Sequence, residues 1–178
     1  GGGGGGSKPK CVRALGDYAY ITTKNGVAIL NISNPSNPQS LGYISGTSNM
    51  ILENLDILNN TLAVSAHEDG VLIYSLSSQI NPQLITILES ENAWTVHMTE
   101  DYLYVGDEST LSIYQADGYN FVASLELPNS IKIRILTCAP SLYVSFRFRG
   151  MDQDLWRLVI EINELNELFV PAIFVIDL

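Results

Sequence analysis

The chain has 178 residues, of which 46% are hydrophobic and 16% charged. That is the composition of one folded domain with a real core, and it excludes a disordered chain. The formal net charge of -10 opposes a phosphate backbone and excludes a nucleic-acid partner. No apolar run approaches the roughly 20 residues that span a bilayer, so a transmembrane segment is not expected.

Residues 1–9 open with Gly1 to Gly6 and Ser7, a flexible linker or tag that carries no fold information. The absence of an initiator Met and of a leader segment points to a mature or excised piece of something longer. From Cys11 onward the pattern is period-two alternation of apolar residues, rich in β-branched and aromatic side chains, and almost nothing reads as a helix. The first unit, residues 11–52, holds "VRALG", "DYAYITT", "NGVAILNIS" and "QSLGYIS". The second, 53–92, holds "NLDILN", "NTLAVS", "GVLIYSLS" and "QLITILES". The third, 93–130, holds "WTVHMTE", "DYLYVGD", "STLSIYQAD" and "FVASLELP". The fourth, 131–178, holds "IKIRILT", "SLYVSFRFRG", "DLWRLVIEIN" and "ELFVPAIFVI". Asn37-Pro38 and Asn81-Pro82 stop the third strands of the first two units.

The equivalent anchors Ile21, Val64, Val105 and Val144 are spaced by 43, 41 and 39 residues. Four strands in a repeat of about 40 residues are the signature of a β-propeller blade. An isolated hairpin is marginal in water, so each unit must pack both faces on its neighbours. That accounts for third strands such as Val27 to Leu30 and Val71 to Tyr74, which are apolar on successive residues. The expected fold is all-β, with about four four-stranded antiparallel blades forming either a small closed ring or an arc of a larger propeller.

The stretch "GDYAYITTKNGVAILNISNPSNP", Gly16 to Pro38, resembles the LVIVD repeat, a propeller motif of bacterial and archaeal surface proteins. The pattern weakens along the chain. Unit two keeps Pro82, unit three keeps "DYLYVGD" without the Asn-Pro stop, and unit four departs most. The resemblance covers about residues 11–165 and implies a propeller at the cell surface or outside the cell.

Two groups of residues are candidate sites. The turns between second and third strands share a face with the blade-to-blade connections. They carry Glu68 and Asp69, Asp107 and Glu108, and Asp152 and Asp154, while unit one has Lys24 and Asn25 there. Carboxylates from several loops suit Ca²⁺ or a basic partner, although no compact Asp-x-Asp-x-Asp-Gly loop is present. Solvated turn carboxylates are the simpler reading. On the innermost strands, equal offsets from the anchors put Arg13, Asp56, His97 and Leu136 at equivalent positions. Arg13, Asp56 and His97 would form an axial polar ring, either a ligand site with His97 as acid, base or metal ligand, or a set of hydrogen bonds that satisfies buried groups.

No catalytic motif accompanies them. The only histidines are His67 and His97, too few for a three-histidine zinc site. Cys11 and Cys138 form no metal or redox spacing and read as unpaired thiols. Asn31-Ile32-Ser33 and Asn59-Asn60-Thr61 match the glycosylation sequon, a frequent accidental match. The favoured function is therefore a non-catalytic surface or secreted module, with no evident cofactor, that presents loops for protein binding or assembly. The alternative is a propeller-type hydrolase or lactonase with an axial metal. The expected partners are other protein chains or further blades, with self-assembly through the apolar C-terminal strand Ala172 to Leu178.

Overall fold

The computed structural model describes residues 9–126, 131–138, 142–148, 155–162 and 168–176, with side chains over 9–126. Its strands fall into four sheets, each an antiparallel meander in chain order. Blade 1 comprises β1 (Val12–Leu15), β2 (Tyr18–Thr23), β3 (Gly26–Asn31) and β4 (Gln39–Tyr43). Blade 2 comprises β5 (Leu55–Leu58), β6 (Thr61–Ser65), β7 (Val71–Ser75) and β8 (Gln83–Leu88). Blade 3 comprises β9 (Ala93–Met98), β10 (Tyr102–Asp107), β11 (Thr110–Gln115) and β12 (Phe121–Glu126). Blade 4 comprises β13 (Ile131–Cys138), β14 (Leu142–Phe148), β15 (Leu155–Ile162) and β16 (Leu168–Ile176). The anchors Ile21, Val64, Val105 and Val144 all lie on the second strand of their blade, as the spacing predicts.

The register repeats as closely as the sequence. Val12 pairs with Ile21, Leu55 with Val64 and Val96 with Val105. The pairing of third and fourth strands shifts at Ile29/Leu30, Ile73/Tyr74 and Ile113/Tyr114, the same place in three blades. A bulge there adds twist where the outer strand must turn away from its neighbour.

Period-two alternation explains how one sheet fills two cores. On β7, Leu72 and Tyr74 join the cluster shared with blade 1, while Val71 and Ile73 join the cluster shared with blade 3. On β6, Leu62 and Val64 face blade 1, and Ala63 faces blade 3. Innermost strands meet in chain order: β1 with β5, β5 with β9, and β9 with β13.

Two glycines are required by the turns that close these hairpins. Gly70 has φ +82°, and a Cβ there would lie 2.2 Å from the Leu88 carbonyl oxygen. Gly26 has φ +127°, with Thr47 Oγ1 2.7 Å from where its Cβ would be. Thr47 is fully buried, accepts the Val27 N–H at 3.0 Å and donates to Ile44 O at 2.7 Å. The blade 1 to blade 2 connection is thereby pinned to the β2–β3 turn.

Candidate functional site

The innermost strands of a propeller leave one edge without a strand partner, so their N–H groups need acceptors from elsewhere. Blade 2 supplies them to blade 3 from Asn54, just before its first strand, and Asp56 within it. Asn54 Oδ1 accepts the Val96 N–H at 3.1 Å, and Asp56 Oδ2 accepts the Met98 N–H at 2.7 Å. The two donors, like the two acceptors, are separated by one residue, so side chains stand in for a missing strand.

Asp56 is the centre of this arrangement and is only 7% exposed. Its Oδ2 lies 3.1 Å from His97 Nδ1, and its Oδ1 lies 3.5 Å from Arg13 Nε and accepts the Ile57 N–H at 3.0 Å. The predicted axial trio Arg13, Asp56 and His97 is thus brought together, one residue from each of three blades. Burial works to raise the Asp56 carboxyl, but the His97 ring and the Met98 and Ile57 N–H groups outweigh it and hold the group below the usual carboxylate value. Every oxygen of this carboxylate already serves a neighbour, which makes it a fixed anionic hub linking three blades.

The fourth expected position needs a correction. Leu136 pairs with Val144, so it stands where Val12, Leu55 and Val96 stand. Thr137, opposite Tyr143, takes the register position of Arg13, Asp56 and His97. Three residues separate the last pair, Cys138 and Leu142, where two separate Leu15 from Tyr18 and Leu58 from Thr61. An odd change in turn length moves the first strand by one register step, and equal sequence offsets then mislead.

A second polar group, not singled out by the sequence, lies where the blade 1 to blade 2 connection meets the β6–β7 turn. Glu53 Oε1 forms an ion pair with Lys10 and lies 2.8 Å from His67 Nε2. The His67 ring packs on Trp94 at 4.6 Å, and its backbone bridges to Ala93 in both directions. Cys11 is free and half-buried; it donates to Leu55 O at 3.4 Å and receives Asn54 Nδ2 at 3.4 Å. A polar residue two positions before Asp56 on an apolar strand was the available signal for Asn54. Nothing local marks Glu53.

The acidic turn face divides into two kinds of residue. Glu68 and Asp69 are exposed. Asp107 and Glu108 are half-buried and hold the next connection: Asp107 Oδ2 accepts from Ser90 Oγ at 2.7 Å and from the Glu91 N–H at 3.1 Å. Glu108 accepts from Asn92 Nδ2 at 2.9 Å. Asp152 and Asp154 lie outside the described residues. Among the described residues, no three His, Cys, Asp or Glu side chains converge as a metal-binding group.

Four consecutive four-stranded antiparallel sheets, stacked in chain order about their first strands, define a β-propeller. The LVIVD repeat family matches residues 8–45 and 91–113, stretches that fall on the first and third blades. None of the curated proteins matches it in sequence. Among solved structures it is similar to the computationally designed Ika8 protein, at 13% identity and TM-score 0.68, covering 94% of this chain and 49% of that one. It is also similar to the designed Ika4 protein, at 11% identity and TM-score 0.61, covering 94% and 92%. Glutaminyl cyclase from Myxococcus xanthus follows at 16% identity and TM-score 0.56, covering 86% and 66%. The chain therefore spans about half the length of the Ika8 chain.

Proposed function

We propose that the chain is a non-catalytic β-propeller module of the cell surface or the secreted space. Its loops and the outer side of blade 1 engage other protein chains or further blades. One observation carries the reading. Val12, Leu55 and Val96 hold equivalent register positions, yet Val12 is 54% exposed while Leu55 is 0% and Val96 2% exposed. Burial of that position requires a preceding blade, and blade 1 presents the position to solvent together with Arg13 and Ala14. Apolar sheet left open in this way is an association surface. The higher TM-score on half of Ika8 than on nearly the whole of Ika4 supports an arc suited to additional blades. Asp56, the group an axial catalytic centre would use, is occupied with neighbours in three blades.

The test is the mass of the 178-residue chain in solution, by light scattering across a concentration series, beside Val12→Lys/Ala14→Lys. Concentration-dependent association of the wild type, lost in the folded double variant, is expected. A wild type that remains monomeric to its solubility limit overturns the reading.

A further inference from the structure

On the face opposite the acidic turns, a cleft of about 270 Å³ opens between blades 2 and 3. Leu58, Met98, Leu103 and Ala116 form its apolar side, and the exposed carboxylates of Glu100 and Asp117 stand at its rim. Comparison with the preceding blade junction shows why it exists. The first residue after each third strand donates its N–H to the last residue before the blade's second strand: Ile32 to Asp17 O, Leu76 to Asn60 O and Ala116 to Asp101 O, at 2.7, 2.7 and 2.8 Å. These three residues are therefore equivalent. Leu76 is 1% exposed and fills the junction of blades 1 and 2. Ala116 leaves that volume empty in the next junction.

Two further differences separate the junctions. Tyr20, whose O–H donates to Gln79 O at 2.8 Å across the first junction, is replaced by Ala63 at the same register position in blade 2. The loop carrying Gln79 runs from 76 to 82, whereas its counterpart in blade 3 runs only from 116 to 120. In that shortened loop Tyr119 turns back at φ +55° and hydrogen-bonds with Thr61. The corresponding depression between blades 1 and 2 is more open and is lined by Tyr18, Asn60, Leu76, Ser77, Gln79 and Ile80, with no charged group. Apolar volume and negative charge thus occur together at the second junction alone of these two.

Neither Glu100 nor Asp117 has an ion-pair partner among the described residues, and both also line an adjoining cleft with Asp101 and Tyr102. A cavity of about 150 Å³ takes up benzene, so this open cleft, which Asn59, Thr61, Thr99 and Tyr119 also line, has room for one aryl or branched alkyl group. The net charge of -10 raises the local concentration of cations at such a rim. We propose that this cleft binds a small organic monocation, an amine carrying a single apolar group, with the group against Met98, Leu103 and Ala116 and the ammonium between Glu100 and Asp117. The site is independent of the assembly surface on blade 1.

The experiment titrates 2-phenylethylamine, 2-phenylethanol and 3-phenylpropionate into the wild-type chain and follows the Leu58, Met98, Leu103 and Ala116 methyl signals by NMR. Those methyls should shift with the amine, the alcohol should bind about fivefold more weakly, and the acid should leave them unmoved. Ala116→Leu installs the residue of the first junction and should abolish binding while keeping or raising Tm. Glu100→Gln/Asp117→Asn, at two exposed positions, should bring the amine down to the affinity of the alcohol. The proposal is overturned by methyls that do not respond to the amine, by equal affinity for amine and alcohol in the wild type, or by unchanged amine binding in either folded variant.

Discussion

Asp56→Ala tests the idea that an axial carboxylate holds the inner ends of three blades together. The substitution leaves the Met98 N–H, whose residue is 8% exposed, without its acceptor at 2.7 Å. An orphaned buried donor of this kind costs about 1–3 kcal/mol. The His97 contact at 3.1 Å is also lost, while the Arg13 contact counts for little because that side chain is 46% exposed. The sum is about 3 kcal/mol, which for a domain of this size lowers Tm by about 6–12 °C. Urea and thermal unfolding measure it, and hydrogen exchange at the Met98 amide localises it. Asp56→Asn keeps an oxygen for Met98 and should cost about half as much. The sign of the pH dependence follows from a folded carboxyl held below its ordinary value of 3.8. Its stabilising contribution is present above that value and is lost as pH falls through the lowered folded value. The gap between wild type and Asp56→Asn should therefore be constant at neutral pH and narrow in acid. An Asp56→Ala variant within about 0.5 kcal/mol of wild type, with unchanged exchange at Met98, refutes the reasoning.

Three other outcomes follow from the packing. Ile73→Asp places a charge at a fully buried position between blades 2 and 3 and should cost more than about 4 kcal/mol, seen as loss of the cooperative melt at 37 °C; an unchanged melt means that face is exposed. Gly70→Ala drives a Cβ to 2.2 Å from Leu88 O at φ +82°, and a destabilisation of about 2 kcal/mol or more in urea is expected, whereas a neutral result contradicts the tight turn. The Tyr20 hydroxyl is pushed up to about 12, by burial first and by Tyr18 second. It favours the fold below the ordinary value of 10.0, and that contribution is lost as pH rises toward 12. Tyr74, Tyr114 and Tyr119 are also raised by burial, so an ultraviolet titration should show a late component that Tyr20→Phe reduces by one tyrosine, and a tyrosine set titrating together near the ordinary value contradicts it.

The strand pattern was legible because side-chain alternation is a local property. Val71 to Tyr74 reads as a strand buried on both faces, and β7 divides its residues between two cores. The repeat spacing likewise implied the blades, since equivalent residues of a repeat must occupy equivalent places in the stack. The axial trio was also within reach, because equal offsets from an anchor give equal register while the hairpin turns keep the same parity. Where the turn before β14 changes parity, the same arithmetic selects Leu136 instead of Thr137.

Contacts between blades were beyond such reasoning. Asp107 and Glu108 read as solvated turn carboxylates, yet they hold Ser90, the Glu91 N–H and Asn92 across a connection. The interblade bonding of Asp56 to the Met98 N–H, the exposure of Val12 beside the burial of Leu55, and the cleft beneath Ala116 are similar cases. Each depends on which residue stands opposite across a connection or a blade junction, from 16 positions away for Glu108 and Asn92 to 42 for Asp56 and Met98. Alternation assigns a side chain to one face of its own sheet, but only the stacking of sheets decides whether that face meets a carboxylate, a hydrophobic neighbour or water.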